Sequence, residues 1–282
     1  MNKKNLKDLK KYPLVVYLLY YPIAQKTLKD FIKYYKEFKS GKKHQLLICF
    51  KGFNNNLKSI NYWKKRIPLR YTFYLDKELN NDFDIGSFFR VATDYPGRLT
   101  LFLNSYAYPN CINWLKIFVN NYSAKSLIGG HGSFGSISSE CLSFKYTDLS
   151  IYQSIKYGFV HFFYCKLFPN PHIRTSNFLI KAKDFLGLKV DKNKFVKKIF
   201  TNYFESGRFG MSAQLLKKGF KLLIVNSENK KFNIHDWINS KTAFLNNQEK
   251  LVISDHKTRE YDKLSKNKKS ELSKMNWGAL GL

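Results

Sequence analysis

The sequence predicts an α/β protein whose sheet is doubly wound and mostly parallel, with helices on both faces. Strand-like runs alternate with segments of helical period through the first half of the chain. The strand-like runs are continuously apolar, as in strands that are covered on both faces. The chain has 282 residues, of which 44% are hydrophobic and 17% aromatic, so it can bury a large core and is not disordered.

The elements of the first half follow from local patterns. Residues 14–20 are an unbroken apolar run closed by Pro22, which predicts a buried strand. Leu28, Phe31 and Tyr35 recur at helical spacing before Gly41, which predicts a helix that stops there. The same reasoning predicts strands over 14–20, 46–50, 71–75, 99–103 and 126–128, and helices over 26–38, 84–93 and 112–122.

The second half is less regular. Residues 151–167 predict an aromatic-rich helix, which we expect to be packed because His161 and Lys166 interrupt it. Further helices are predicted over 195–204 and 211–218, and strands over 178–180 and 220–225. Without repeats or a long linker, we expect one domain over 1–282. It has a nucleotide-binding half of about 14–140, an acceptor and catalytic half of about 141–260, and a helical C-terminal segment over 261–282.

Charge and cysteine usage restrict the class of protein. The formal net charge is +29, but only 7 of the 49 basic residues are arginines. Since arginine dominates base-specific contacts, the composition argues against nucleic acid as a partner and for smaller anions or anionic lipids. Four scattered cysteines fit a reducing cytosol. The longest apolar run, 14–24, is about half of the ~20 residues of a membrane span, so we expect a soluble protein.

Two motifs follow predicted strands. Asn104, Ser105 and Tyr106 come after the fourth strand, where ligands bind in open α/β sheets, although a turn that only caps the strand fits equally well. Gly130 to Gly135 formally matches G-x-G-x-x-G, but 136–139 reads as a loop and not as the helix that a dinucleotide site requires. We interpret these glycines as allowing close approach to a ligand or to a neighbouring strand.

Three later segments carry polar chemistry. Glu205, three residues before Arg208, can act as a general base, with a surface ion pair as the alternative. The loop 169–175 presents Arg174 either to a phosphate or sugar hydroxyls or as part of a purely structural loop. Asp255 and His256 offer metal ligands, but no second histidine lies at ligand spacing, which favours a solvated turn.

In this order along the chain, the segments resemble a family-2-like glycosyltransferase of the GT-A fold, of the type found in bacterial surface-polysaccharide biosynthesis. The resemblance extends from about Val15 to Trp277 and depends on the co-linear order of the motifs. They are Tyr20 to Pro22, His44 to Phe53, Phe83 to Gly86, Phe102 to Ser105, Trp114 and Leu115, Gly132 and Ser133, Pro169 to Arg174, Phe204 to Arg208, and Ser254 to Tyr261.

The resemblance implies a GT-A-like sheet and a hexosyltransferase-type enzyme. The reaction would move a sugar from a nucleotide sugar to an acceptor hydroxyl in polysaccharide, lipopolysaccharide or glycan synthesis, with inversion and with Glu205 as base. The implied donor-binding residues are Tyr21, Asp84, Asn104, Ser105 and Arg208, and the implied acceptor or loop contacts are His131, Ser133, His172 and Arg174. The implied partners are a nucleotide sugar and a glycan or lipid-linked acceptor, for a cytoplasmic protein with peripheral contact to the inner, anionic face of the membrane.

The sequence does not decide whether the reaction uses a metal cofactor. Most GT-A enzymes carry Asp-x-Asp where this chain has Asn104, Ser105 and Tyr106, which removes the carboxylates that Mg²⁺ or Mn²⁺ prefers. Either Asp255 and His256 supply metal ligands, or lysines and Arg208 carry the diphosphate charge, or catalysis is lost. The last case gives the alternative function, a non-catalytic protein that binds a nucleotide or glycan. The third possible function is that of a basic module that binds nucleic acid or a membrane surface.

Overall fold

The computed structural model describes residues 11–142 and 150–278. The strands are β1 (Leu14–Tyr20), β2 (Gln45–Lys51), β3 (Thr72–Leu75), β4 (Leu99–Leu103), β5 (Tyr108–Pro109), β6 (Ser126–Gly129), β7 (Gly132–Ser133), β8 (His172–Ile173), β9 (Asn177–Lys181), β10 (Lys221–Val225), β11 (Lys231–Phe232) and β12 (Ile253–Ser254). The α-helices are α1 (Ala24–Glu37), α2 (Leu57–Lys65), α3 (Phe83–Asp94), α4 (Trp114–Asn120), α5 (Ile137–Leu142), α6 (Ile151–Tyr164), α7 (Ala182–Leu186), α8 (Lys198–Ser206), α9 (Met211–Lys217), α10 (His256–Asp262) and α11 (Lys266–Trp277).

Eight of these strands form one sheet in the order β11-β10-β6-β9-β4-β1-β2-β3. Six of them run in the same direction, since β1, β2, β3 and β4 pair in parallel, as do β6 and β10. β9 is antiparallel to both of its neighbours, β4 and β6, and β11 is antiparallel to β10. The carboxyl ends of the six parallel strands therefore meet at one edge of the sheet.

Both faces of the sheet are buried, as the apolar runs predict. In β1, Val16 and Leu18 pack in one apolar cluster, while Val15, Tyr17 and Leu19 pack in the other. Because successive side chains of a strand point to opposite faces, a strand buried on both sides must be apolar at every position. The mixed α/β class and the mostly parallel sheet are confirmed.

Two local predictions are wrong, and one helix was missed. Residues 136–139 are not a loop, because α5 begins at Ile137. α2 was not predicted, since only Ile60 in it is buried and its pattern is weak. The aromatic helix α6 is not packed as expected: it buries Ser154 and Gly158 and exposes most of its large side chains.

The glycine-rich segment after β6 approaches a neighbouring strand, one of the two interpretations of these glycines. Gly132 and Ser133 form β7, which pairs with Ile173 and His172 of β8. A Cβ atom at Gly132 would lie 2.5 Å from the Ile224 side chain, so only glycine fits there. This short ribbon brings the 172–176 loop to the carboxyl edge of the sheet.

Within the described ranges, no helix is long and apolar enough to cross a membrane.

Candidate functional site

The carboxyl edge of the parallel strands holds a cavity of about 290 Å³, which we call the first cavity. It lies beyond the ends of β1, β2 and β4, and α3, α8 and α10 close it from the side. Its lining is Leu18, Tyr20, Ile23, Lys51, Asn81, Phe83, Asp84, Asn104, Ser105, Tyr106, Lys198 and His256. It therefore contains Asp84, Asn104, Ser105 and His256, four of the residues that the sequence singled out.

Lys51, the last residue of β2, is buried in the wall of this cavity and was not predicted as a site residue. Its ammonium group contacts the Asp82 carboxylate and lies 3.7 Å from the Asp76 carboxylate. Arg90 bonds the same two carboxylates at 2.6 and 2.7 Å. Since two cations face two carboxylates, this cluster is balanced and fixes the wall where β2 and β3 end.

Asp84 and Lys198 form the charged part of the lining that is not held in this cluster. Asp84 lies in the first turn of α3, and its Oδ1 accepts a hydrogen bond from the Ile85 N–H at 3.1 Å. Burial raises the pKa of Asp84, and the positive charge of Lys198 opposes that rise. The Lys198 ammonium also lies 5.2 Å from the centre of the Phe83 ring.

His256 presents an imidazole to the first cavity. Its ring lies against that of Tyr106, with centroids 4.4 Å apart. Burial lowers the pKa of His256, so the ring is neutral at pH 7. Its Nδ1 is buried and has no hydrogen-bond partner in the part of the chain that the structure describes. A buried polar atom in this state costs free energy unless something binds it, so His256 is suited to a ligand contact.

A second cavity has a volume of about 480 Å³. Its polar lining is Ser133, Glu140, His172, Arg174, Asn202, Glu205, Ser206, Lys257, Glu260 and Asn276. It contains Glu205, Ser133, His172 and Arg174, the other main group of predicted residues. Ser133 donates to the Asn276 side chain at 2.9 Å, and the His172 Nδ1 lies 2.8 Å from the carbonyl of Asn170.

Glu205 is fixed in this second cavity by the 172–176 loop. Its Oε2 accepts hydrogen bonds from the N–H and the hydroxyl of Thr175, and its Oε1 lies 4.0 Å from the Arg174 Nε. Burial alone would raise the pKa of Glu205, but Arg174, His172 and the Thr175 hydrogen bonds together lower it. The guanidinium beside Glu205 belongs to Arg174 and not to Arg208, the arginine that lies three residues further along the chain.

Glu140, on α5, is a second carboxyl group of this cavity and was not predicted from the sequence. Burial raises its pKa to about 7, although the Arg174 charge opposes the rise. Glu140 is therefore partly protonated at neutral pH, whereas Glu205 is ionised. No motif in the sequence indicates this difference, because it comes from tertiary burial.

The two cavities adjoin. His256 lines the first and the next residue, Lys257, lines the second. Along α8, Lys198 lines the first cavity, while Asn202 and Glu205 line the second. The spacing of four and seven residues puts these three side chains on one face of the helix. Asn104 and Glu205 thus lie on the same side of the molecule, in neighbouring cavities rather than in one cleft.

Four predicted residues are outside both linings, namely Tyr21, Arg208, His131 and Asp255. Tyr21 is exposed and packs on Phe53, with ring centroids 5.0 Å apart. The Arg208 Nε donates to the carbonyl of Phe162 at 3.1 Å, so this guanidinium faces α6 and not a donor. His131 is buried, with its Nε2 2.7 Å from the carbonyl of Ile253. A bonded and buried imidazole is a packing element and not an acceptor contact.

Asp255, which the sequence offers as a metal ligand, is not in the lining of the first cavity. Asp255 is buried, caps α10 through the Thr258 N–H and lies 3.5 Å from the His131 Nδ1. The hydrogen bond and charge of His131 lower the pKa of Asp255 in spite of its burial. Over 11–142 and 150–278, no three His, Cys, Asp or Glu side chains gather as a metal site. The carboxylate predicted as a metal ligand is thus engaged elsewhere.

No family model and no curated protein matches the sequence. HddC from Yersinia pseudotuberculosis is 12% identical, over 81% of this chain and 97% of that one, with a TM-score of 0.40. Mouse xyloside xylosyltransferase 1 is 8% identical, over 76% and 84%, with a TM-score of 0.37. The bifunctional glycosyltransferase WbbM is 10% identical, over 74% and 37%, with a TM-score of 0.35. Similarity at this level does not define a family, and function is inferred from the two cavities.

Proposed function

We propose that this chain is a glycosyltransferase that moves a sugar from a nucleotide-sugar donor to an acceptor hydroxyl. The donor nucleotide and its diphosphate bind in the first cavity, and the acceptor binds in the second. This division is what the resemblance to family-2-like enzymes leads us to expect. Surface-polysaccharide or other glycan synthesis is the process to which such a reaction belongs.

One observation carries the proposal. A cavity at the carboxyl ends of parallel strands has Lys198 in its lining, together with a buried His256 nitrogen that has no partner among the described residues, and it adjoins a cavity that contains Glu205 and Glu140. Nucleotides bind at this edge of open α/β sheets, and cations at such a site attract a diphosphate. A carboxylate next to the donor can act as the general base, and the lining of the neighbouring cavity holds three, Glu140, Glu205 and Glu260.

In the proposed reaction, Glu205 takes the proton of the acceptor hydroxyl. The acceptor oxygen forms a bond to the anomeric carbon as the bond from that carbon to the phosphate oxygen breaks. The electron pair leaves with the nucleoside diphosphate, whose growing charge Lys198 stabilises. Since attack and departure occur on opposite sides, the anomeric configuration inverts. No step is assigned to a metal ion, because Asp255 is engaged as a helix cap and the described residues hold no cluster of three metal-ligating side chains.

The reaction is tested by incubating the chain with a panel of nucleotide sugars and measuring release of nucleoside diphosphate, with and without glycan acceptors. We expect release with one donor class, and loss of that release in Glu205→Gln. The matched control is Glu228→Gln, since Glu228 is an exposed carboxylate paired with Lys230 and Lys250 on another part of the surface. Equal release by wild type and Glu205→Gln would exclude Glu205 as the base.

A second function is favoured by the absence of Asp-x-Asp together with the engaged carboxylate of Asp255. A chain that lacks these carboxylates at the donor site can bind a nucleotide or a glycan without turning it over. Binding of a nucleotide sugar in the first cavity, with no product release under any condition of the assay, would identify this non-catalytic binding protein. Absence of both binding and release would exclude both functions.

A further inference from the structure

Helix α6 packs in an unusual way. The residues it buries are small, Ser154 and Gly158, at the helical spacing of four. The Ser138 hydroxyl donates to the Gly158 carbonyl at 2.9 Å, and a Cβ atom at Gly158 would lie 2.5 Å from the Leu142 side chain. α6 therefore lies close against α5 through its small residues, and its large side chains point away from the protein.

The exposed side is strongly apolar. We define the aromatic surface as the exposed large side chains of α6 and the chain next to it: Ile151, Tyr152, Ile155, Tyr157, Phe159, Val160, Phe162, Phe163, Tyr164, Leu167, Phe168 and Phe209. Tyr152, Phe159 and Phe163 have exposed fractions of 74%, 62% and 72%. A contiguous patch of this kind on a protein surface marks an interaction site.

The C-terminal end of α6 is held in place by hydrogen bonds and ring stacking. The Arg208 N–H donates to the Tyr164 carbonyl at 2.7 Å, and the rings of Tyr164 and Tyr203 stack with centroids 4.5 Å apart. Cys165 and Gly207 form a β-bridge. The aromatic side chains are thus presented by a helix that is held at its C-terminal end by α8 and the turn after it.

Basic side chains lie within and beside the aromatic surface. Residues 150–168 contain no Asp or Glu and carry Lys156 and Lys166. The Arg208 guanidinium lies 5.0 Å from the Phe162 ring centre, and the Lys217 ammonium lies 5.5 Å from that of Phe209. Aromatic rings among basic side chains are typical of helices that lie in the headgroup region of a membrane.

We propose that the aromatic surface docks this protein on an anionic membrane, with α6 in the plane of the interface. At 14 residues, α6 is about 21 Å long, shorter than the ~30 Å hydrocarbon core, so it lies on the membrane and does not cross it. A second copy of the chain fits less well, since a symmetric dimer through this surface would bring like charges together. On the proposed function, α5 links the docked helix to the acceptor cavity, because Glu140 belongs to its lining.

The test is co-sedimentation of the full chain with phosphatidylcholine vesicles that contain phosphatidylglycerol, at physiological salt. We expect the wild type to bind. A triple variant, Tyr152→Ser, Phe159→Ser and Phe163→Ser, should bind about tenfold more weakly or worse. The matched control changes Leu57, Leu79 and Ile112 to serine. Their exposed fractions of 73%, 72% and 65% are similar, but they lie outside the aromatic surface, so binding should be unchanged.

A second variant separates charge from apolar contact. Lys156→Glu with Lys166→Glu should lower binding to anionic vesicles and leave the weak binding to pure phosphatidylcholine unchanged. Equal binding by the wild type and the serine triple variant would overturn the proposal. A wild-type dimer that the triple variant converts to a monomer, without vesicle binding by either, would assign the surface to a second copy instead. None of these measurements depends on sugar transfer, so failure of the membrane proposal would not count against the proposed function.

Discussion

Thr175 holds Glu205 through two hydrogen bonds, since its backbone N–H and its hydroxyl both lie 2.6 Å from the same carboxylate oxygen. Glu205 is on α8 and Thr175 is in the loop between β8 and β9. The pair therefore ties the helix that spans both cavities to the loop that carries His172 and Arg174. One oxygen of Glu205 is used in this way, and the other lies beside the Arg174 guanidinium.

Replacing Glu205 by glutamine keeps the shape of the side chain and an oxygen for the Thr175 hydrogen bonds. If Glu205 is the base, the transfer rate should fall about 10²–10⁴-fold while the affinity for the donor is nearly unchanged. Steady-state kinetics together with donor titration measure both quantities. A glutamine variant that folds, binds the donor and transfers sugar at the wild-type rate would make Glu205 a structural residue.

The pH dependence of the rate distinguishes Glu205 from Glu140. The pKa of Glu205 is lowered below 4.5, so this carboxylate is ionised throughout the neutral range. If Glu205 is the base, its titration should therefore cause no change in the transfer rate between pH 6 and 8. A rate that instead rises with an apparent pKa near 7, and loses that rise in Glu140→Gln, would transfer the role of base to Glu140.

Glu140 should also affect folding stability. Its pKa is about 7 in the folded protein and about 4.5 in the unfolded chain, so between these values the folded state holds more protons. Stability therefore falls as pH rises through this window. Thermal unfolding should show that Glu140→Gln gains stability relative to the wild type at pH 8 and gains little at pH 5. The same difference between the two proteins at both pH values would contradict the raised pKa.

The sequence predicted the sheet better than the site. β1 and β4 have the predicted bounds because a strand buried on both faces is marked by its own residues. The role of Lys51 could not be predicted, because its partners are remote in sequence: Asp76 and Asp82 lie between β3 and α3, and Arg90 lies on α3. Arg208 was assigned to Glu205 from a spacing of three, but the loop that carries Arg174 is closer in space.

The exposed aromatic side chains of α6 also could not be predicted from the local sequence pattern. An aromatic helix predicts packing, because such side chains normally enter the core. Here Ser154 and Gly158 decide which side of α6 faces the protein, and a close contact with Leu142 leaves no room for a larger residue. The sequence contains these two small residues, but their meaning depends on where α5 lies.

Substitution of Asp255 tests whether this residue caps a helix or binds a metal ion. Because its carboxylate caps α10, Asp255→Ala should cost about 0.5–2 kcal/mol of stability, measured by urea unfolding. Asp255→Asn should cost less, since an asparagine oxygen still accepts from the Thr258 N–H. We expect donor affinity in the presence and absence of Mn²⁺ to be the same for Asp255→Asn as for the wild type. A loss of Mn²⁺-dependent binding in this variant would restore Asp255 as a metal ligand.

The central claim is that the first cavity binds a nucleoside diphosphate through side chains and without a metal ion. It is tested most directly by calorimetric titration of nucleoside diphosphates and nucleotide sugars in the presence of a chelator. We predict that one member of the panel binds, that Lys198→Ala weakens its binding by about tenfold, and that Lys197→Ala, which changes the adjacent exposed lysine outside the cavity, leaves it unchanged. Binding that appears only with Mn²⁺, or that is equally strong in Lys198→Ala, would contradict the claim.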